Sequence, residues 1–66
     1  MTNGIVKWFS VRKGYGFIEK EDGAEVFVHY SGISMPGFKV LSTGDKVSFD
    51  IEMSDRGSRA INVFKI

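Results

Sequence analysis

The chain contains no cysteine, a single histidine (His29) and a single proline (Pro36), and its nine bases and eight acids leave a net charge of +1. Without cysteine there is no disulfide framework, and one histidine cannot build a Cys/His zinc site. The staples that small domains often use are absent, so stability has to come from the core. No apolar run is long enough to span a membrane, and neither an apolar signal region nor a basic amphipathic leader follows Met1. A soluble, cytoplasmic protein without cofactor or metal is expected, and the lack of cysteine fits a reducing compartment. No pairing of nucleophile with base stands out, which speaks against an enzyme. The segment Arg12-Lys13-Gly14-Tyr15-Gly16 lacks the Gly-Lys-Ser/Thr ending of a phosphate-cradling loop.

What is present is a set of short runs punctuated by turn signals. At 66 residues the chain is one domain, residues 1–66, and folding at this size buries only roughly 60% of the unfolded surface. Gly4 to Ser10 is β-rich, Arg12-Lys13-Gly14 breaks it, and Tyr15 to Lys20 resumes it. Asp22-Gly23 is a hairpin turn pair, and Ala24 to Tyr30 forms a third run. Ser31 to Thr43 is too broken for a strand and holds at most one helical turn. Lys46 to Met53 alternates, Ser54 to Ser58 reads as a second hairpin loop, and Arg59 to Ile66 closes the sequence. No window carries apolar residues at helical spacing. Five strands in this length predict an all-β fold, a five-stranded antiparallel Greek-key barrel of the OB-fold type.

Face by face, the strands differ in chemistry. In the fourth, Val47, Phe49, Ile51 and Met53 share one face and Lys46, Ser48, Asp50 and Glu52 the other, which predicts one buried and one wet side. In the second and third, Ile18, Val26 and Val28 form an aliphatic face suited to a core. The opposite face carries Tyr15, Phe17, Phe27 and His29, with Glu19 and Glu25 among them. A chain with no helices cannot cover both faces, so the aromatic side is expected to be wet. Most aromatics serve cores, and packing on one another is the bland alternative. Three rings and an imidazole in one register on neighbouring strands instead form a contiguous patch, normally an interaction site. Lys7, Arg12 and Lys13 all precede the first acid, Glu19, and place local cations near those rings. Flat rings beside cations suit single-stranded nucleic acid, where each stacked base contributes about 1–3 kcal/mol whatever its identity. Gly14 and Gly16 bracket Tyr15 and mark a bend or a close backbone approach.

Lys13-Gly14-Tyr15-Gly16-Phe17-Ile18 resembles the first ribonucleoprotein motif of bacterial cold-shock proteins, and Val26-Phe27-Val28-His29-Tyr30 resembles the second. The likeness extends through Gly4-Ile5-Val6-Lys7-Trp8-Phe9, Gly37-Phe38-Lys39 and Ala60-Ile61-Asn62-Val63. The RNA-recognition-motif fold shares a similar first motif but wants an aromatic at its eighth position, here Lys20, and needs two helices. Similarity to the cold-shock family implies a barrel that binds single-stranded RNA and DNA, pyrimidine-rich stretches favoured, and acts as an RNA chaperone in the cold. The positions that match the family's binding surface are Lys7, Trp8, Lys13, Tyr15, Phe17, Phe27, His29, Tyr30, Phe38 and Arg56, with Phe9 a contributor that is also a candidate for the core. Tyr15 and Tyr30 stand where phenylalanine is common, and Glu25 where the family usually has a shorter acid. Ser10 replaces a frequent asparagine and Ser58 a frequent proline.

Trp8 and Phe9 cannot both point inward on a regular strand, and Trp8 is expected outside. Phe38 is open between stacking and clipping its loop to the barrel. His29 is expected to stack as a neutral ring or to hydrogen-bond a base. A small SH3-type barrel that binds peptides is the alternative reading, although such grooves favour acids near their rings. A monomer is expected, with strand exchange between two barrels as the other arrangement open to it.

Overall fold

In the computed structural model, residues 1–34, 40–55 and 57–66 are described. Five strands form, β1 (Thr2–Ser10), β2 (Tyr15–Lys20), β3 (Glu25–His29), β4 (Lys46–Ser54) and β5 (Gly57–Lys65), with one 3-10 turn at Tyr30–Gly32. They close into a barrel in the order β1-β2-β3-β5-β4, with β1 also paired to β4. Every seam is antiparallel except β3–β5, where Phe27 and Val28 lie parallel beside Arg59 and Ala60. Closure leaves the sheet without a free edge along these seams.

The predicted aliphatic face is the core. Ile18, Val26 and Val28 are buried together with Val6, Val47, Phe49, Ala60 and Val63. Ile33, just after the 3-10 turn, and Leu41, from the long connection, close the interior. Each fully buried side chain of this size contributes about 1.5–3 kcal/mol, and no cross-link supplements them.

Three sequence expectations need correction. Ile51 and Met53 were assigned to the buried face of β4 by alternation, yet they are 38% and 75% exposed. Alternation sets which way a side chain points, but burial needs something opposite it, and the distal half of this nine-residue strand has outrun the packed interior. Ser48, assigned to the wet face, is buried instead. It is the smallest member of its cross-strand row, between Asn3 and Phe64. The third strand also ends earlier than expected, because Tyr30 begins the 3-10 turn.

Two irregularities shape the barrel. Between Ser48 and Asp50 the pairing with β5 slips by one residue. Across from that slip Asn62 takes a left-handed backbone, φ 52°, and its side-chain amide donates to Asp50 Oδ2 at 3.2 Å. Asparagine tolerates this conformation and β-branched residues do not. Asn62→Val is therefore expected to lower unfolding free energy by about 1–2 kcal/mol, while Asn62→Gly stays within about 0.5 kcal/mol. Urea midpoints for the pair check this, and equal midpoints would remove the backbone explanation. The second irregularity, in β1, bears on the candidate site.

At the β2–β3 hairpin the Ala24 amide donates to Asp22 Oδ1 at 2.9 Å. That bond, foremost, and the nearby Lys20 hold the carboxyl below its ordinary value. Its small contribution is present above that ordinary value and lost as pH falls through the lowered one.

Candidate nucleic-acid interface

In β1 the register against β2 shifts between Val6 and Trp8, leaving Lys7 as the extra residue. Strict alternation from buried Val6 would send Trp8 inward and Phe9 outward. The bulge reverses both, since an inserted residue flips the remainder of the strand. Trp8 is 42% exposed, and Phe9 is half-buried and packs on the core. The sequence required one of the pair to face out, and the bulge decides which.

The outward rings form one connected surface. Trp8 lies 5.8 Å from Tyr15 and 5.6 Å from Phe17, centroid to centroid. Phe27 lies 5.7 Å from Tyr15 and 5.9 Å from Phe17. The contacts are tilted or edge-on, so the rings support one another by their edges while presenting area outward. Tyr15, Phe17 and Phe27 are half-buried, in keeping with rings that are shared between packing and surface. Beside them a groove of about 780 Å³ runs past Phe17, Phe27 and His29 toward Arg59 and the start of β5.

His29 and Tyr30 form a second unit, with centroids 4.5 Å apart. The Ser31 amide donates to His29 Nδ1 at 3.3 Å, and the Ser31 hydroxyl lies 2.9 Å from the same nitrogen. A neutral imidazole that accepts at Nδ1 carries its proton on Nε2. Tyr30 is half-exposed and packs over Gly14, whose amide carbonyl accepts from the Tyr30 N–H at 2.8 Å. Gly14 has φ 78°, and a Cβ there would sit 2.8 Å from the Tyr30 ring. The glycine thus permits the turn and also leaves room for the ring.

The cations are unevenly available. Lys7 is paired with Glu19, Nζ to Oε2, at 3.4 Å. Lys13 is exposed at the β1–β2 turn and makes no ion pair among the described residues. Glu19 and Glu25 are cross-strand partners and make one end of the face acidic. Phe38 and Arg56 lie outside the described residues. Sequence reasoning passed over Arg59, which lies beside Phe27 in the β3–β5 seam and is held by Glu52 through Nε at 3.1 Å. Nothing local announces a parallel seam between β3 and β5. The opposite charges of Glu52 and Arg59, symmetric about the β4–β5 turn, were the one available signal.

Among the described residues, no group of three His, Asp or Glu side chains could hold a metal ion. No described helix is long and apolar enough to cross a membrane. Fold and face together define a small β-barrel with a connected aromatic surface. The profile of the 'Cold-shock' DNA-binding domain family matches residues 2–66. Cold shock protein 1 of Lactiplantibacillus plantarum is 62% identical over 63 residues, covering 96% of both chains. Cold shock protein CspC of Bacillus subtilis is 57% identical over 65 residues, covering 98% of both. The chain belongs to the cold-shock domain family, whose members bind nucleic acids. Membership sets the peptide-binding barrel aside. Among solved structures, drosophila Unr CSD456 superposes with a TM-score of 0.75 at 19% identity over 98% of this chain, which supports the fold. The chain spans 26% of that longer protein.

Proposed function

We propose that this barrel binds single-stranded RNA and DNA, pyrimidine-rich stretches favoured, by stacking bases on Trp8, Tyr15, Phe17 and Phe27. His29 and Tyr30 extend the platform, Phe9 supports it from beneath, and Phe38 and Arg56 join it by family resemblance. The observation that carries the reading is the connected cluster of four outward rings, with centroids 5.6–5.9 Å apart. A strand laid across separate rings at that spacing is stretched well beyond the about 3.4 Å per base of a duplex strand. Its bases leave one another to meet the protein, a geometry that paired strands cannot adopt.

Binding only the unpaired form shifts RNA folding by mass action. The protein then acts as a passive RNA chaperone in the cytoplasm, working as a monomer and without nucleotide hydrolysis.

Titration of Trp8 fluorescence with oligo-pyrimidine strands tests the reading. Emission is expected to change at micromolar strand, and unchanged emission would sink it. Salt adds a second measure. Three phosphate contacts, by Lys7, Lys13 and Arg56, at roughly −0.7 each would give a log–log slope of about −2. Lys7 has to leave Glu19 to take part, so a slope nearer −1.4, the value for two contacts, is expected. A flat response would assign nearly all of the affinity to stacking.

A further inference from the structure

The cross-strand register carries the aromatic platform further than the rings do. Trp8 pairs with Phe17, Phe17 with Phe27, Phe27 with Arg59, and Arg59 with Glu52. These five residues make one continuous row across all five strands of the barrel. Three are aromatic, the fourth is a planar guanidinium, and the fifth is a carboxylate that holds it. We propose that Arg59, fourth in this row, is a further stacking platform, on which a base beside the one over Phe27 lies flat.

Three observations support a stacking role over a phosphate contact. Both Nε and Nη2 of Arg59 donate to the same oxygen of Glu52, so one edge of the guanidinium is already occupied. That pair offsets the charge a phosphate would seek. Arg59 also lines the groove with Phe17 and Phe27, at its β5 side, and its side chain is 47% exposed. Delocalised guanidinium planes stack on aromatic systems, bases included, and lysine cannot replace them in that role. Glu52 acts as a positioning residue: it fixes the plane in the row, which lowers the ordering cost of stacking.

The inference rests on the stacking reading above, and strand length separates the two. Wild-type affinity is measured by Trp8 quenching for oligothymidines of three and of six nucleotides. The longer strand is expected to bind more tightly, because it reaches beyond three rings, and the Arg59 variants show how much of that gain is due to Arg59. Arg59→Lys keeps the charge and loses the plane, and is expected to lose about tenfold on the six-mer, the size of one stacked base. It should change little on the three-mer. Arg59→Tyr loses the charge and keeps a plane, and should retain most of the six-mer affinity with an unaltered salt slope. Circular dichroism melts confirm that both variants are folded. The reverse order, with Lys retaining and Tyr losing affinity while its salt slope drops by roughly 0.7, would show a phosphate contact and overturn the proposal. Equal binding by all three proteins would overturn it too. Absence of any wild-type quenching would instead sink the stacking reading on which it stands.

Discussion

Replacing Phe17 and Phe27 together by alanine is expected to lower affinity for oligo-pyrimidine strands by roughly a thousandfold. Two stacking positions at about 2 kcal/mol each amount to about 4 kcal/mol, and every 1.4 kcal/mol is tenfold. The rings are also structural. Phe17 touches Trp8 and Phe27, and Phe27 touches Tyr15 as well, so the double variant removes three ring pairs. Half-buried pairs of this kind sit near the low end of their range, about 0.5 kcal/mol each beyond area burial, so about 1.5 kcal/mol of stability goes with the three pairs, on top of the lost burial. That is a serious loss for a domain whose total is of order 3–10 kcal/mol.

A second variant separates the two effects. Phe17→Leu with Phe27→Leu keeps apolar bulk over the same neighbours and removes the flat faces. Its melting temperature should stay close to wild type while its affinity falls nearly as far as that of the alanine pair. Wild-type affinity in the folded leucine variant would show that these rings are packing elements and that binding lies elsewhere. The tighter control is needed because the platform is built from residues that also support one another.

How much of this could be read from the residues depends on the kind of information involved. The aliphatic and aromatic faces of β2 and β3 were legible, because a period of two is local and the two side-chain classes are cleanly sorted. The outward position of Trp8 was legible only as a constraint. The bulge at Lys7 that produces it depends on pairing with β2, which no single strand reports. The burial of Ile51 and Met53 was misread for a related reason. Alternation gives direction, whereas the length of the interior is set by what other strands and loops supply. Arg59 was invisible as a site residue because its neighbour Phe27 lies in the parallel seam, 32 positions away by numbering (59 less 27). A parallel pairing joins strands distant in sequence and leaves no turn signal between them.

Gly16 was legible as a close approach, and its substitution carries the largest expected cost in stability. A Cβ built on Gly16 would fall onto the carbonyl oxygen of Trp8 and lie 2.7 Å from Phe9 Cα. Both are backbone atoms of β1 where it is paired to β2, Trp8 with Phe17 and Phe9 with Gly16 itself. Gly16→Ala can be accommodated only by moving β1 off β2 where the two carry Trp8 and Tyr15. Overpacking typically costs 1–3 kcal/mol with room to adjust, and here the neighbours cannot rotate away, so about 3 kcal/mol or more is expected. Against a total of order 3–10 kcal/mol the variant should be partly or wholly unfolded near 37 °C. Gly14→Ala is the informative comparison. Its positive φ penalises alanine by about 1–2 kcal/mol, but the neighbour it meets is the side chain of Tyr30, which can swing aside. Urea denaturation of the two variants should therefore rank Gly16→Ala well below Gly14→Ala, and Gly14→Ala should show altered binding at Tyr30 while remaining folded. If Gly16→Ala unfolds at the wild-type midpoint, β1 does not lie as close to β2 as this register requires. The placement of Trp8 over that contact would then fail with it.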